Sequence, residues 1–290
     1  MALADNRGKL IRQLGSSKGK EFDNYALPET RMLTVQSSDG LYELPMTITY
    51  PLNFDPAKKY PVWISVYGGP DAGTVFDRWK QVGGATQLWA QEGIVQVQMD
   101  NRSSGHFGKN GINHIFQQLG LFEIRDYMDC ARWLRAQPWA DTTKIGITGG
   151  SFGGYITCMA LTYGAEVFTH GIANYSVTDW RLYDTHYTER FMTTPAENPA
   201  GYRNTSVMTY AGQYRGLLRI VHGSTDDNVH MQNTLMLADE LENRNKHFEL
   251  MIYPQQRHGF GGSKRIHHLT ETYQFIYKYL LDKELPEVFR

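Results

Sequence analysis

The sequence lacks the features of disulfide-rich and membrane-spanning proteins. It contains only two cysteines, Cys130 and Cys158, among 290 residues, which is too few for a disulfide framework. Both fall in segments with helical patterning, so we expect buried thiols rather than a bridge. No apolar run approaches the roughly 20 residues that span a bilayer, and no signal sequence opens the chain. We therefore expect no membrane contact from this segment.

An excess of charge of one sign is also absent. The chain has 29 Lys and Arg residues against 30 Asp and Glu residues, for a formal net charge of −1. Without basic blocks, the composition argues against a nucleic-acid partner. The 10 histidines show no convincing zinc-ligand spacing, so we expect neither a metal nor another cofactor. A chain of this length can bury roughly three quarters of its unfolded surface in one large domain.

One short segment indicates chemistry. Residues 144–154 read KIGITGGSFGG, in which a β-branched apolar strand enters a G-x-S-x-G pattern centred on Ser151. A helix-compatible run follows at 155–161. In a nucleophile elbow the serine occupies a strained strand-to-helix turn, and glycine at 149 and 153 removes side chains that would collide with the backbone. The pentapeptide alone is weak evidence for catalysis, but its place between a strand and a helix predicts a catalytic serine.

A serine nucleophile needs a histidine to take its proton and a carboxylate to orient that histidine. In the α/β-hydrolase arrangement the acid and then the histidine follow the serine, each after a later strand. The apolar strand at 217–221 is followed by Asp226, and the strand at 248–253 is followed by His258. The sequence therefore predicts a triad of Ser151, Asp226 and His258.

Two alternatives for the acid stay open at this point. Asp226 could instead cap the helix that we predict at 231–243, which is a frequent role for aspartate. Asp227 is the neighbouring carboxylate, and the residues alone separate the two poorly.

Apolar strand-like segments alternate with amphipathic ones along the chain. Strands are predicted at 32–35, 45–49, 62–67, 94–99, 144–148, 171–174, 217–221 and 248–253. Helices are predicted at 86–91, 122–137, 155–164, 231–243 and 266–281. A Ser-Asp-Gly turn at 38–40 joins the first two strands, so the sheet should begin antiparallel. The later alternation predicts an α/β-hydrolase fold, a doubly wound and mostly parallel sheet with catalytic loops at its carboxyl edge.

From about residue 33 onward, the chain resembles the catalytic domain of the prolyl oligopeptidase family, and within it the dipeptidyl peptidase IV branch. The motifs that carry the resemblance are VYGGP at 66–70, GGSFGGY at 149–155, YTER at 187–190, HGSTDDNVH at 222–230 and the loop of His258. The resemblance implies a serine peptidase that releases dipeptides or tripeptides from the N-terminus of a peptide after proline or alanine. It also implies that Asp226, rather than Asp227, is the acid.

The same resemblance assigns the two donors of an oxyanion hole, which stabilise the charge on a tetrahedral intermediate. One is the backbone N–H of Phe152, the residue after the nucleophile, and the other is the phenol of Tyr67. Without the resemblance, a packed aromatic side chain at a strand end is the better interpretation of Tyr67. Phe152 departs from the tyrosine that is usual in the dipeptidyl peptidase IV branch, but a role for its backbone N–H survives that change.

Segment 175–191 contains Trp180, Tyr183 and Tyr187, whose spacings of three and four residues would place them on one face of a helical turn. Ordinary core packing is the alternative for such a stripe. The resemblance implies that they form, with Val177 and Val229, the S1 pocket for proline or alanine. It further implies that Asn228 donates to the carbonyl of the preceding substrate residue. The substrate-binding residues that the resemblance implies are therefore Val177, Trp180, Tyr183, Tyr187, Asn228 and Val229.

The N-terminal segment carries a different prediction. A turn signal at 5–8 and an alternating segment at 10–14 precede a polar stretch, as expected for the end of a β-propeller and its linker. We therefore expect residues 1–28 to be the remnant of a preceding propeller and 29–290 to be the catalytic domain. On this hypothesis the parent enzyme is longer and its compartment is unknown, with a periplasmic or secreted location one alternative.

Two further function classes stay open beside a peptidase acting on peptide substrates. A carboxylesterase on the same fold is the alternative, because esters are easier acyl donors than amides. A non-catalytic binding module is the other, although Ser151, Asp226 and His258 are all present in the expected order. The apolar face of the helix at 266–281 could form a homodimer, and internal packing is the alternative and the more common role of such a face.

Overall fold

The computed structural model describes residues 1–16, 19, 23–78 and 84–289. The strands within these ranges are β1 (Ala2–Ala4), β2 (Leu10–Gln13), β3 (Thr30–Gln36), β4 (Glu43–Thr49), β5 (Tyr60–Ser65), β6 (Val95–Met99), β7 (Ala140–Gly150), β8 (His170–Asn174), β9 (Leu217–Gly223) and β10 (Glu249–Tyr253). The α-helices are α1 (Gly84–Glu92), α2 (Gly108–Ile112), α3 (Leu121–Arg135), α4 (Phe152–Leu161), α5 (Thr185–Met192), α6 (Pro199–Thr205), α7 (Gln232–Glu242) and α8 (Gly262–Phe275). Short 3₁₀ segments occupy Asn113–Ile115, Trp180–Leu182, Val207–Gln213 and Glu287–Phe289, and a π-helical turn at Ile276–Leu280 continues α8.

Strands β3 to β10 form one sheet in the order β10-β9-β8-β7-β5-β6-β4-β3. The β3–β4 hairpin is antiparallel, as is the pairing of β4 with β6, and the other neighbours pair in parallel. The predicted α/β-hydrolase sheet with antiparallel N-terminal strands is therefore confirmed. Because β5 to β10 run in the same direction, the loops at their carboxyl ends all open at one edge of the sheet.

Helices cover both faces of the sheet. Successive side chains along a strand point to opposite faces and pack into two separate apolar clusters. On β5, Val62 and Ile64 pack into one apolar cluster, which includes residues of α3 and α4. The intervening Trp63 points to the opposite face and packs in a second cluster with Phe275 of α8. Side chains of successive strand residues point to opposite faces, so both sides of a covered sheet must be apolar. This rigid two-sided scaffold holds the loops at its carboxyl edge.

The structure corrects the bounds of several predicted elements. Strand β5 ends at Ser65, so Tyr67 lies in the loop beyond it rather than within the strand. Helix α4 begins at Phe152, directly after the serine and three residues before the predicted start. The predicted helix at 266–281 is α8 followed by the π-helical turn.

Three short helices, α2, α5 and α6, were not predicted. Two of them carry capping signals that the sequence displays. The side chain of Asp184 accepts a hydrogen bond from Tyr187 N at the start of α5. The side chain of Asn198 accepts one from Gly201 N at the start of α6, where Pro199 occupies the first turn. Asp and Asn at these positions satisfy backbone donors that have no partner within the helix.

The N-terminal segment forms a separate two-stranded sheet of β1 and β2, which pair antiparallel with each other. Every residue of both strands is exposed. Part of the predicted linker, at residues 17, 18 and 20–22, lies outside the described residues. A domain boundary near residue 28 stays a prediction. In the described ranges, no helix combines the length and the apolar character needed to cross a membrane.

Candidate active site

Ser151 lies at the sharp turn between β7 and α4. Its backbone has φ 58° and ψ −117°, an unfavourable conformation for a residue with a side chain. The flanking glycines are required by close backbone approaches. A Cβ at Gly149 would lie 2.5 Å from the carbonyl carbon of Gly153, and one at Gly153 would lie 2.4 Å from the Val66 oxygen. The turn leaves the serine side chain free of any capping bond to α4.

Asp226 and His258 lie in the loops that follow β9 and β10, and they are directly hydrogen-bonded. Asp226 Oδ2 is 2.8 Å from His258 Nδ1. Because an ionised carboxylate only accepts, His258 Nδ1 is the donor, which leaves Nε2 unprotonated in the neutral ring. That tautomer is the one a general base requires. The other carboxylate oxygen, Oδ1, accepts from the backbone N–H groups of Asn228 and Val229, at 3.0 Å each.

The contacts of the two neighbouring carboxylates, Asp226 and Asp227, differ. Helix α7 has Met231 as its N-cap and no side-chain capping bond, so Asp226 does not cap that helix. The side chain of Asp227 is 63% exposed and pairs with Arg257 at 3.1 Å. Asp226, in contrast, is buried at the end of its strand. Of these two carboxylates, Asp226 is the one that contacts the imidazole of His258.

Ser151 is brought to the same edge as this pair, on a neighbouring part of the sheet. Its backbone N–H donates to the carbonyl of Asn174 at the end of β8. Among the described residues, no hydrogen bond joins Ser151 Oγ to His258. Such a bond is often long before substrate binds and tightens in the Michaelis complex. The ring of Tyr175, just after β8, contacts the imidazole, with its centroid 4.7 Å from that of His258.

A second imidazole supports the acid loop from within the core. His222 is fully buried, and its Nε2 is 2.8 Å from the carbonyl oxygen of Val229 and 3.3 Å from Asp226 Oδ2. Its Nδ1 is 2.7 Å from the hydroxyl of Thr234. Since a carbonyl only accepts, Nε2 carries the proton and Nδ1 accepts from the threonine. Burial lowers the pKa of His222, which favours the neutral form of the ring.

Tyr67 lies beside the elbow because two backbones approach each other closely. A Cβ at Gly153 would be 3.1 Å from the Tyr67 Cα, so only glycine allows this contact. The Tyr67 side chain is 42% exposed, and its ring centroid is 6.3 Å from that of Phe152. The Phe152 side chain is buried, while its backbone N–H belongs to the first turn of α4. Such N–H groups have no partner within the helix.

An aromatic cluster lies next to the elbow. The ring of Trp180 is 5.5 Å from that of Phe152, 6.1 Å from Tyr183 and 6.2 Å from Tyr187. Tyr183 and Tyr187 are in edge contact at 5.5 Å. Val177 and Val229 are buried in the same apolar core as Trp180. The cluster thus gathers the aromatic residues that the sequence singled out.

The way in which the cluster forms differs from the prediction. Trp180 lies in the 3₁₀ segment Trp180–Leu182, Tyr183 is extended, and Tyr187 lies in α5. A single helical turn therefore does not present the three rings on one face. The chain is extended at Tyr183, between two short helical segments, and this break brings the three rings into contact. The side chains of Asp179 and Asp184 cap the N-termini of the two segments.

Asn228 is held by the same cluster. The hydroxyl of Tyr183 donates to Asn228 Oδ1 at 2.9 Å. An asparagine amide has one accepting oxygen and two N–H donors. With its oxygen occupied, Asn228 keeps its Nδ2 donors for another group. Asp226, Asn228 and Val229 thus occupy one loop, whose shape is fixed by hydrogen bonds to the carboxylate.

The turn at 119–120 supports Trp180 from behind. The indole N–H of Trp180 donates to the Leu119 carbonyl at 3.1 Å. The next residue, Gly120, has φ 102° and donates its N–H to Glu123 Oε2 at 2.9 Å. Glu123 is fully buried, and burial raises the pKa of its carboxyl to about 8. The pKa of Tyr187 is also raised, first by burial and then by nearby groups that include Glu123.

Sequence reasoning missed His222, Tyr175 and Glu123 as parts of this site. His222 directly precedes the loop that carries Asp226, but a histidine within a buried strand is more often a packed core residue. Tyr175 follows strand β8 at the catalytic edge, which was the available signal. Glu123 lies in an amphipathic helix, where an acidic residue near the N-terminus is ordinary. None of the three could be joined to the triad without the tertiary contacts.

A model of the prolyl oligopeptidase family matches residues 80–283, which is more than half of the chain. The chain belongs to the prolyl oligopeptidase family. Its relatives include proteins named probable dipeptidyl-aminopeptidase B, of which two are described. The protein from Uncinocarpus reesii is 40% identical over 240 residues, covering 81% of this chain and 26% of the relative. The protein from Aspergillus clavatus is 38% identical over 237 residues, again covering 81% and 26%.

The solved structure of Porphyromonas gingivalis dipeptidyl peptidase 4 is similar to this member of the prolyl oligopeptidase family. The TM-score is 0.87 at 36% identity, over 95% of this chain and 39% of that protein. The likeness extends over nearly all of the sheet and its helices, which confirms both the resemblance and the fold. The chain spans about a quarter of the length of the curated relatives it matches.

Proposed function

We propose that this chain is the catalytic domain of a serine peptidase that cleaves after proline or alanine and releases dipeptides. The observation that carries the proposal is the aromatic cluster of Trp180, Tyr183 and Tyr187 beside the serine elbow and the Asp226–His258 pair. Flat aromatic walls suit the compact apolar ring of proline. The relatives described above are named as dipeptidyl aminopeptidases, so the carboxylesterase alternative is not favoured.

The chemistry we propose is acylation and deacylation of Ser151. His258 Nε2 takes the serine proton as Oγ attacks the scissile carbonyl, and it then returns the proton to the departing amine. Asp226 holds the imidazole in the required tautomer and stabilises the imidazolium. Water repeats the sequence in the second half-reaction and releases the dipeptide acid.

The backbone N–H of Phe152 and the hydroxyl of Tyr67 would donate hydrogen bonds to the developing oxyanion. Val177 and Val229 would line the pocket with the three rings, and an Nδ2 donor of Asn228 would bind the carbonyl before the proline. The hydrogen bond from Tyr183 to Asn228 supports this role, because it orients the amide nitrogen away from the ring.

Turnover of a glycyl-prolyl chromogenic amide tests the proposal, with the matching glycyl-leucyl amide as the control for the pocket. We expect the prolyl substrate to be preferred and Ser151→Ala to lower kcat by about 10⁶-fold, as for removal of a triad serine in subtilisin. A fluorophosphonate should label wild-type Ser151. A chain that hydrolyses p-nitrophenyl acetate but neither amide would be an esterase, and a chain that resists labelling would be a binding module.

A homodimer stays a prediction. Ile266 and Leu269 are exposed on α8, on the helix that the sequence singled out as a candidate interface. Light scattering of the purified chain, with Ile266→Glu as the matched variant, tests whether this face is covered by a second copy.

A further inference from the structure

Tyr175 has a backbone conformation that its side chain disfavours. It follows β8 directly, with φ 38°, in the region where residues with a side chain are uncommon. Its N–H donates to the Val221 carbonyl at 2.6 Å, which ties the residue to the neighbouring strand β9. Strained residues persist where the surrounding structure holds them, and they are concentrated at functional sites. The conformation therefore raises the question of what the Tyr175 ring does.

The ring bridges the elbow and the general base. It meets the imidazole of His258 edge-on, with ring centroids 4.7 Å apart and planes inclined by 62°. On the other side, a Cβ at Gly150 would lie 2.6 Å from the Tyr175 ring and 2.7 Å from its hydroxyl oxygen. The ring thus fills the space that a side chain directly before Ser151 would occupy. Tyr175 is only partly buried, so it is accessible at the rim of the site.

Chemistry indicates which substrate residue this ring would meet. The imidazole must hand its proton to the departing amine, so the leaving group lies beside His258. The aromatic pocket for the residue before the scissile bond contacts the elbow through Phe152. The ring contacts of Tyr175 within the described residues are instead with His258 and Phe260, at 4.7 and 5.8 Å. Tyr175 therefore lies on the leaving-group side.

We propose that Tyr175 forms the wall of the subsite for the residue that follows the scissile bond, and that this subsite takes an apolar or aromatic side chain. The proposal rests on the proposed peptidase function. Tyr175 and Phe260 supply the apolar surface, and the absence of a side chain at Gly150 leaves the ring in place. The ligand is thus a peptide whose third residue is aromatic or large and apolar.

The test compares kcat/KM for two unlabelled peptides that differ only after the proline, glycyl-prolyl-phenylalanyl-alanine and glycyl-prolyl-glycyl-alanine. An added aromatic contact is worth roughly a 2- to 12-fold preference for the phenylalanyl peptide. Tyr175→Phe keeps the ring and should keep the preference. Tyr175→Asn removes the ring, while asparagine tolerates positive φ better than most residues, and should abolish the preference.

A small fluorophosphonate bonds to the oxygen of Ser151 and releases fluoride. Its reaction measures the reactivity of the triad independently of the subsite. The Tyr175→Asn protein should still be labelled. An unchanged preference in Tyr175→Asn would overturn the proposal, as would loss of the preference in Tyr175→Phe. Loss of labelling in Tyr175→Asn, together with an equal fall in kcat/KM for both peptides, would also overturn it. The ring would then support the triad itself. A wild-type chain that is not labelled and cleaves neither peptide would refute the proposed peptidase function.

Discussion

The pH dependence of stability tests whether burial raises the pKa of Glu123, which lies behind the aromatic cluster. The carboxyl is fully buried at the start of α3, and one oxygen accepts from the Gly120 N–H while Oε1 has no partner among the described residues. Burial, opposed by that hydrogen bond, raises its pKa from 4.5 to about 8. The folded protein therefore keeps this proton at neutral pH, whereas the unfolded chain releases it.

The sign of the pH dependence follows from this difference. A folded-state pKa above the unfolded value gives stability that is fully present below pH 4.5 and is lost as the pH rises through about 8. Each pKa unit corresponds to about 1.36 kcal/mol. Between pH 5 and pH 7, proton release by the unfolded chain should cost about 2.5 kcal/mol. For a chain of 290 residues, that loss lowers Tm by roughly 4 °C.

Urea unfolding followed by tryptophan fluorescence, at pH 5 and at pH 7, measures the effect in wild type and in Glu123→Gln. Gln does not titrate, so the difference in unfolding free energy between the two proteins should change by about 2.5 kcal/mol between these pH values. Other titrating groups cancel in that difference. Glu242→Gln, at an exposed position of α7, is the matched control and should follow wild type. Parallel pH dependences for wild type and Glu123→Gln would refute the reasoning.

Three other perturbations address the loops around the elbow. Tyr67→Phe should lower kcat by about 10²- to 10³-fold, the usual effect of losing one oxyanion donor. A small loss on a prolyl amide would remove Tyr67 from that role. His222→Ala removes the donor to the Val229 carbonyl and should cost about 1–3 kcal/mol of stability. It should also raise KM, since we propose that Val229 lines the pocket. His222→Gln, which keeps an N–H donor, should lose less, and equal losses would contradict the assignment. Gly153→Ala should lower Ser151 labelling by a fluorophosphonate, because its Cβ would meet the Val66 oxygen at 2.4 Å. Normal labelling would show that the loop of Tyr67 moves freely.

Much of the fold could be predicted because the strands are apolar and regularly spaced. The strand pattern and the Ser-Asp-Gly turn predicted the sheet and its antiparallel start, and the observed pairing agrees. The short helices were harder, since α2 contains two glycines and α5 is only eight residues long. Elements of this length are stabilised by tertiary contacts more than by propensity.

The candidate site divides in the same way. Asp226 and His258 could be found because a carboxylate and a histidine follow two strands in a fixed order, and the two side chains do meet at 2.8 Å. The aromatic residues at 180, 183 and 187 could be named, but not the break at Tyr183 that brings their rings together. The spacing of residues predicts which side chains are neighbours on one helix or strand. It does not predict contacts between two such elements.

The sequence by itself determined the alternation of elements, the glycines around Ser151 and the placement of Asp226 and His258 after two strands. These features are local, since each follows from the sterics of a turn or from the period of a strand. Only the tertiary structure decided that the buried His222 lies against Asp226 and that Glu123 accepts a hydrogen bond from the turn behind Trp180. It also decided that the ring of Tyr175 contacts both His258 and the turn at Gly150. Those contacts join residues distant in the chain, and they form because parallel strands align their carboxyl ends at one edge of the sheet.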